Sequence, residues 1–251
     1  MVFNNPNPPS YSDVGNLFEI NRECKACSLS CGTSVPGVHP TNMEDIKLIV
    51  ILDYPNKLDF VNYAAFPDET KRQSINTRYK MELEKQRNGS NLLRILINEY
   101  LQIDHQENVA YLYAIKCPPD NKTVQDKHIR TCTRRWLEKE IAVIDLYKPN
   151  VPILICGSTS LKALKLLDPT FKSYKLNDLR RSTGHLYKQH PLVFSFMPSS
   201  CKGEARIEVH TRPNTRKHIS EVISFKKLGT IFGSPLWIFS RDLIILREYL
   251  L

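Results

Sequence analysis

Four short apolar runs, separated by stripes of helical period, lay out the plan of this chain. Residues 46–52, IKLIVIL, are apolar almost throughout and stop at Asp53-Tyr54-Pro55-Asn56, as a strand buried on both faces does. In the second run Val109, Tyr111, Tyr113 and Ile115 alternate and are β-branched or aromatic, until Cys117-Pro118-Pro119-Asp120-Asn121 ends any ladder. Val151–Cys156 and Leu192–Phe196 complete the set, followed by Gly157 and by Met197-Pro198-Ser199-Ser200. Between them, Leu92, Leu93, Leu96, Ile97 and Tyr100 form a helical stripe over 91–102, and Leu161, Leu164 and Leu167 form another. A helix after residue 121 carries Ile129, Cys132, Trp136 and Val143 on one face, with Glu140 its one charged interruption. Strands alternating with helices predict an α/β fold of three layers, α/β/α, around a central, mostly parallel, four-stranded sheet.

Composition changes this picture little. The chain has 251 residues, 41% of them hydrophobic, enough for one large domain with a full core. No apolar run approaches the length of a membrane span and the N-terminus carries no basic-then-apolar leader; a soluble, intracellular chain without membrane contact is the expectation. The predicted organisation is a loose, Pro/Asn-rich arm over 1–12 and a domain over 13–224, opening on a short helix at 13–23. That domain carries a charged insertion at 67–90. An apolar extension at 225–251 packs back on it. Residues 168–190 and 201–218 are polar and basic, with no clear element.

Charge and cysteine usage are more informative. A formal net charge of +9 and a pI near 9.2 favour a polyanionic partner. Seven cysteines, an odd number, without a secretory leader argue for metal ligands and buried thiols rather than a disulfide framework. Cys24 and Cys27 form a C-x-x-C pair, Cys117 ends a strand and Cys132 lies on the inner face of the next helix. Two distant pairs of thiolates are the usual makings of a closed metal site. The competing reading is a set of inert buried thiols. Cys31 competes for the fourth ligand position, Cys156 reads as core and Cys201 as incidental.

In these motifs the chain resembles the iron–sulfur uracil-DNA glycosylases, over roughly Cys24 to Ser200. The resemblance runs through CKACSL, Val35-Pro36-Gly37, the strand and loop at Asp53–Asn56, and Asn88-Gly89-Ser90-Asn91-Leu92-Leu93. It continues through IKCPPDN at 115–121, Cys132, ICG at 155–157 and FMPSS at 196–200. It implies a uracil-DNA-glycosylase-like sheet whose loops grip DNA, and a 4Fe–4S cluster on Cys24, Cys27, Cys117 and Cys132, with zinc as the alternative occupant.

The pocket departs from the family pattern. Where the family has Gly-Glu-Ala-Pro-Gly, this chain has Leu52-Asp53-Tyr54-Pro55-Asn56, keeping an acid and the proline but losing both glycines. Phe66 falls at the stacking phenylalanine, Tyr113 at the uracil-reading asparagine and Met197 at the histidine of the His-Pro-Ser loop. Asp53 is the remaining candidate catalytic group, and its competing reading is a solvated loop acid or a helix cap. Tyr54, Pro55, Phe66, Tyr113 and Met197 are the candidate base pocket. Ser199, Ser200, Lys202, Arg206, Arg180 and Arg181 are candidate DNA contacts, with Arg134, Arg135, Arg212, Arg216 and Lys217 as further cations. A methionine offers no donor to a departing base anion and a tyrosine cannot copy an amide's donor and acceptor. The expectation is a DNA-binding protein of repair or replication, weak or inactive on uracil, with a replication or repair protein as a candidate partner. The alternative is an active DNA glycosylase acting on uracil or a modified base.

Overall fold

The computed structural model describes residues 24–29, 37, 39–40, 42–55, 89–119, 123–198 and 235–250. The expected arm, the helix at 13–23 and the segment 201–218 lie outside them, as do Cys31 and Cys201. So does the charged insertion up to residue 88, while its last two residues open a helix instead.

Five strands are described: β1 (Leu48–Leu52), β2 (Val109–Tyr113), β3 (Ile153–Cys156), β4 (His185–Tyr187) and β5 (His190–Ser195). They form one sheet in the order β2-β1-β3-β5-β4. The first four in that order run parallel, in a register that sets Val50 beside Tyr111 and Leu154, and Leu154 beside Val193. The expected four-stranded sheet is therefore one strand short. β4 turns back antiparallel on β5 through Lys188, whose φ of 54° makes the tight turn. Its three residues HLY carry no apolar run, and Leu186 is 54% exposed, as fits a short edge strand.

Both faces of the sheet are covered. Ile49, Ile51, Ala110, Leu112, Ile153, Ile155, Leu192 and Phe194 point to one side, against Ile129, Ile141, Ile144, Leu161 and Leu164. These belong to α2 (Asp126–Cys132), α3 (Glu138–Tyr147) and α4 (Ser158–Leu167). Leu48, Val50, Leu52, Val109, Tyr111, Tyr113, Leu154 and Val193 point to the other side. There they meet Leu93, Leu96, Ile97 and Tyr100 of α1 (Gly89–Leu101) and Phe239, Leu243 and Leu246 of the C-terminal helix. A short helix, α5 (Leu176–Leu179), precedes β4, and the C-terminal helix is α6 (Pro235–Arg247). Burial on both faces explains why these strands read as near-continuous apolar runs. No helix among the described residues is long and apolar enough to cross a membrane.

α2 and α3 are not one regular helix. A π-helical turn, Thr133–Leu137, separates them. The wide turn inserts extra rotation, so the buried positions run Ile129, Cys132, Thr133, Trp136, Leu137, Glu140 and Ile141, while Val143 is only half-buried. Single wide turns of this kind are frequent at functional sites.

α6 is fastened by a buried polar network. Asp242, 1% exposed, receives Arg180 Nε at 3.0 Å, Ser195 Oγ at 2.7 Å and Arg241 Nη2 at 2.8 Å. Removing one partner of such a pair strands the other charge in the core, which typically costs about 3–5 kcal/mol. Asp242→Ala is therefore expected to lower unfolding stability by about that much in urea, with Asp242→Asn milder because Ser195 keeps an acceptor. A loss under about 1 kcal/mol for the alanine variant would mean the network contributes nothing beyond packing.

Candidate functional site

The parallel strands all end at one edge, and the connection order reverses between β1 and β3. In open α/β sheets that is where a crevice forms. Asp53 follows β1 and Gly157 follows β3, side by side. A Cβ on Gly157 would stand 2.6 Å from both Asp53 carboxylate oxygens and from Met197 Cγ, and its φ is +99°. Only glycine satisfies both conditions.

Asp53 is 8% exposed and turned toward the start of α4. Its Oδ1 accepts from the Ser160 backbone N–H at 2.8 Å and from Ser160 Oγ at 3.0 Å. Burial raises the Asp53 carboxyl above the usual carboxylate range, against the opposing hydrogen bonds from Ser160 and Thr159. The carboxylate thus caps a neighbouring helix, one of the two alternatives to the catalytic reading, and the solvated loop acid is excluded by its burial.

Of the other pocket candidates, Met197 lies beside Asp53 at Gly157. Tyr54 is 38% exposed while Pro55 is buried. Tyr113 is 3% exposed and packs in the same core face as Leu52 and Val50. Met197 is half-buried against that face. Phe66 lies outside the described residues. Leu52, where the family has a glycine, is core.

Among the candidate DNA contacts, Arg181, Arg134 and Arg135 are exposed. Arg180 is not available: it is 8% exposed, paired with Asp242, and its guanidinium lies 4.0 Å over the Phe196 ring. Its basic neighbours suggested a phosphate contact, but its partner comes from α6, far along the chain. Ser199, Ser200, Lys202, Arg206, Arg212, Arg216 and Lys217 lie outside the described residues.

Cys24 and Cys27 lie near Cys132, and Cys117 shares its core cluster. Cys24, Cys117 and Cys132 are buried and Cys27 is half-buried, packed against the core cluster that contains Cys117 and Cys132. Burial pushes the Cys132 thiol up to about 11, with the nearby Cys27 and Cys24 adding repulsion and the Lys116 backbone N–H opposing them. Local contacts fix the segments. Gln125 N–H donates to His128 Nδ1 at 3.1 Å, so Nε2 carries the proton that reaches Ser28 Oγ at 3.0 Å. This ties the C-x-x-C loop to the helix bearing Cys132.

No group of three or more His, Cys, Asp or Glu side chains among the described residues is arranged to share a metal ion. Two observations bear on whether the site suits a thiolate-held group. The donors are all soft sulfurs, drawn from the 24–27 loop, the end of β2 and the end of α2. The π turn that follows Cys132 leaves Thr133 Oγ1 and Trp136 Nε1 buried with no hydrogen-bond partner, each a cost of about 1–3 kcal/mol unless an acceptor is supplied. The donor set suits a metal–sulfur group in kind, while the side chains as placed do not yet share one ion.

Glu140, the charged interruption on the apolar face, is 0% exposed and forms an ion pair with Lys116, itself 1% exposed. Its other oxygen accepts the Gly37 backbone N–H at 3.2 Å. Sequence reading flagged Glu140 but not its partner. The available signal was the lysine beside Cys117, at the end of a strand too apolar to leave it solvated.

A scan against protein-family models finds no match, and a search of curated proteins finds none.

Proposed function

We propose that this chain is a DNA-binding iron–sulfur protein of uracil-DNA-glycosylase-like architecture, acting in DNA repair or replication, with weak or absent uracil excision. The observation that carries the proposal is the proximity of Cys24 and Cys27 to Cys132, with Cys117, from the loop after β2, in the same buried cluster as Cys132. These four residues would hold a 4Fe–4S cluster. When bound, it supplies a covalent cross-tie between the N-terminal loop and the β2–α2 connection. Its role in this reading is structural.

Two observations support the altered pocket. The Asp53 carboxylate is committed to Ser160, and Tyr113 is packed into the core. Neither group is free to orient water or read a base edge. DNA contact in this reading rests on the exposed Arg181 and on Ser199, Ser200, Lys202 and Arg206, which lie outside the described residues.

DNA binding is expected to be sequence-tolerant and to weaken steeply with salt, because neutralised phosphates release counterions. Lys202→Ala and Arg206→Ala should each reduce the log–log salt slope by about one, whereas Arg180→Ala should lose stability instead. Fluorescence anisotropy across a salt series on single-stranded, duplex and mismatched DNA measures this. Absence of binding to all three at low salt would overturn the DNA assignment and favour a protein partner.

A further inference from the structure

The outer surface of α2, the π turn and α3 carries a pattern that the packing of the fold does not use. Lys127, Arg130, Arg134, Arg135 and Lys139 are all exposed there, and none of them forms an ion pair among the described residues. Asp126 is taken by Lys162 at 2.9 Å, leaving Glu138 as the remaining exposed carboxylate between Lys127 and Leu146. On α3 the pattern changes from charged to apolar. Lys139, Ala142 and Leu146 recur at helical spacing, on the side away from the buried Glu140, Ile141 and Ile144. Arg135, one turn earlier, opens the same row, and its guanidinium lies 5.2 Å from the centre of the Trp136 ring. That contact holds it against a buried indole, so less freedom is lost when it binds. Leu146 is 59% exposed, the most of any large apolar side chain among the described residues. A helix that is apolar on both sides is ordinarily covered on both.

We propose that this row docks an acidic, amphipathic helix of a protein partner, with its carboxylates on Arg135 and Lys139 and its apolar side chains on Ala142 and Leu146. Charge complementarity selects the occupant. A second copy of this chain would set cations against cations in a parallel arrangement, and cations against apolar side chains in an antiparallel one. Nucleic acid would engage the cations alone, since phosphates derive nothing from Ala142 or Leu146. An acidic amphipathic helix meets both halves of the row, with apolar anchors for affinity and charges for steering and register. From Arg135 to Leu146 the row is roughly 17 Å long, about three turns of such a helix. Neither the cysteines nor a DNA contact enters into this docking.

The test titrates the full chain into a fluorescein-labelled helical peptide with glutamates along one half of its contact row and leucines along the other, read by anisotropy. Two control peptides carry lysine for glutamate or serine for leucine. The expected result is micromolar binding of the glutamate–leucine peptide. Binding should weaken at least about tenfold with either control peptide, and likewise with Arg135→Glu or Leu146→Asp in the protein. The double variant Arg135→Glu/Lys139→Glu should bind the lysine peptide instead, a rescue that loss of folding could not produce. Failure of the natural chain to bind the glutamate–leucine peptide, or binding that the variants leave unchanged, would overturn the proposal. Single-stranded or duplex DNA whose binding weakens in Arg135→Glu, with no peptide binding, would assign the surface to nucleic acid. A concentration-dependent dimer broken by Leu146→Asp, again with no peptide binding, would assign it to a second copy.

Discussion

Serine in place of Cys117 or Cys132 should strip the protein of its visible colour and iron and lower its thermal stability sharply. Both residues lie within the core, 3% and 4% exposed, one in the loop after β2 and the other at the last position of α2. Serine offers a hydroxyl where a soft thiolate is needed, so the group loses a ligand. It also buries a polar atom that the apolar surroundings cannot satisfy. Because binding free energy at a structural metal site is folding free energy, loss of the group unfolds what it ties together. Cys156→Ser, within β3 and away from the site, should cost stability but leave iron content unchanged. Iron analysis and circular-dichroism melting on the three variants measure the contrast. Equal iron in all three would contradict the ligand set.

Uracil should be released from DNA by the natural protein at no measurable rate. Loss of one preorganised donor to a developing anion typically costs about 10²–10³ in rate, and in the proposed reading Met197 falls where that donor would be. In the same reading Tyr113 falls where the uracil-reading amide would be, and selectivity built on such hydrogen bonds is lost with them. The structure adds a third obstacle, since Asp53 is bound to Ser160 and its carboxyl is raised by burial. Tyr113→Asn with Met197→His should not recover activity. The asparagine amide would enter a packed apolar face, at a cost of about 1–3 kcal/mol if left unsatisfied. Multiple-turnover release from single- or double-stranded substrate would contradict this reading of the pocket.

Strands buried on both faces announce themselves, which is why β1 and β3 were legible as apolar runs and only their ends shifted. β4 was not, because a three-residue edge strand needs no apolar pattern. The π turn was equally hidden: nothing in TRRWL departs from ordinary helix propensity, and the insertion is visible only in the backbone. Candidate ligands were legible from cysteine spacing, a local property. The charged pairs were not, since Lys116 and Glu140, or Arg180 and Asp242, are brought together by packing rather than by neighbourhood. Hence Glu140 was noticed as an anomaly without its answer, and Arg180 was misread as a surface cation.

The most direct test of the central claim is metal and sulfide analysis of the natural protein purified anaerobically. The account predicts a brown protein with broad visible absorption and iron and labile sulfide in equal amounts. A colourless protein carrying stoichiometric zinc, or no metal, would contradict it.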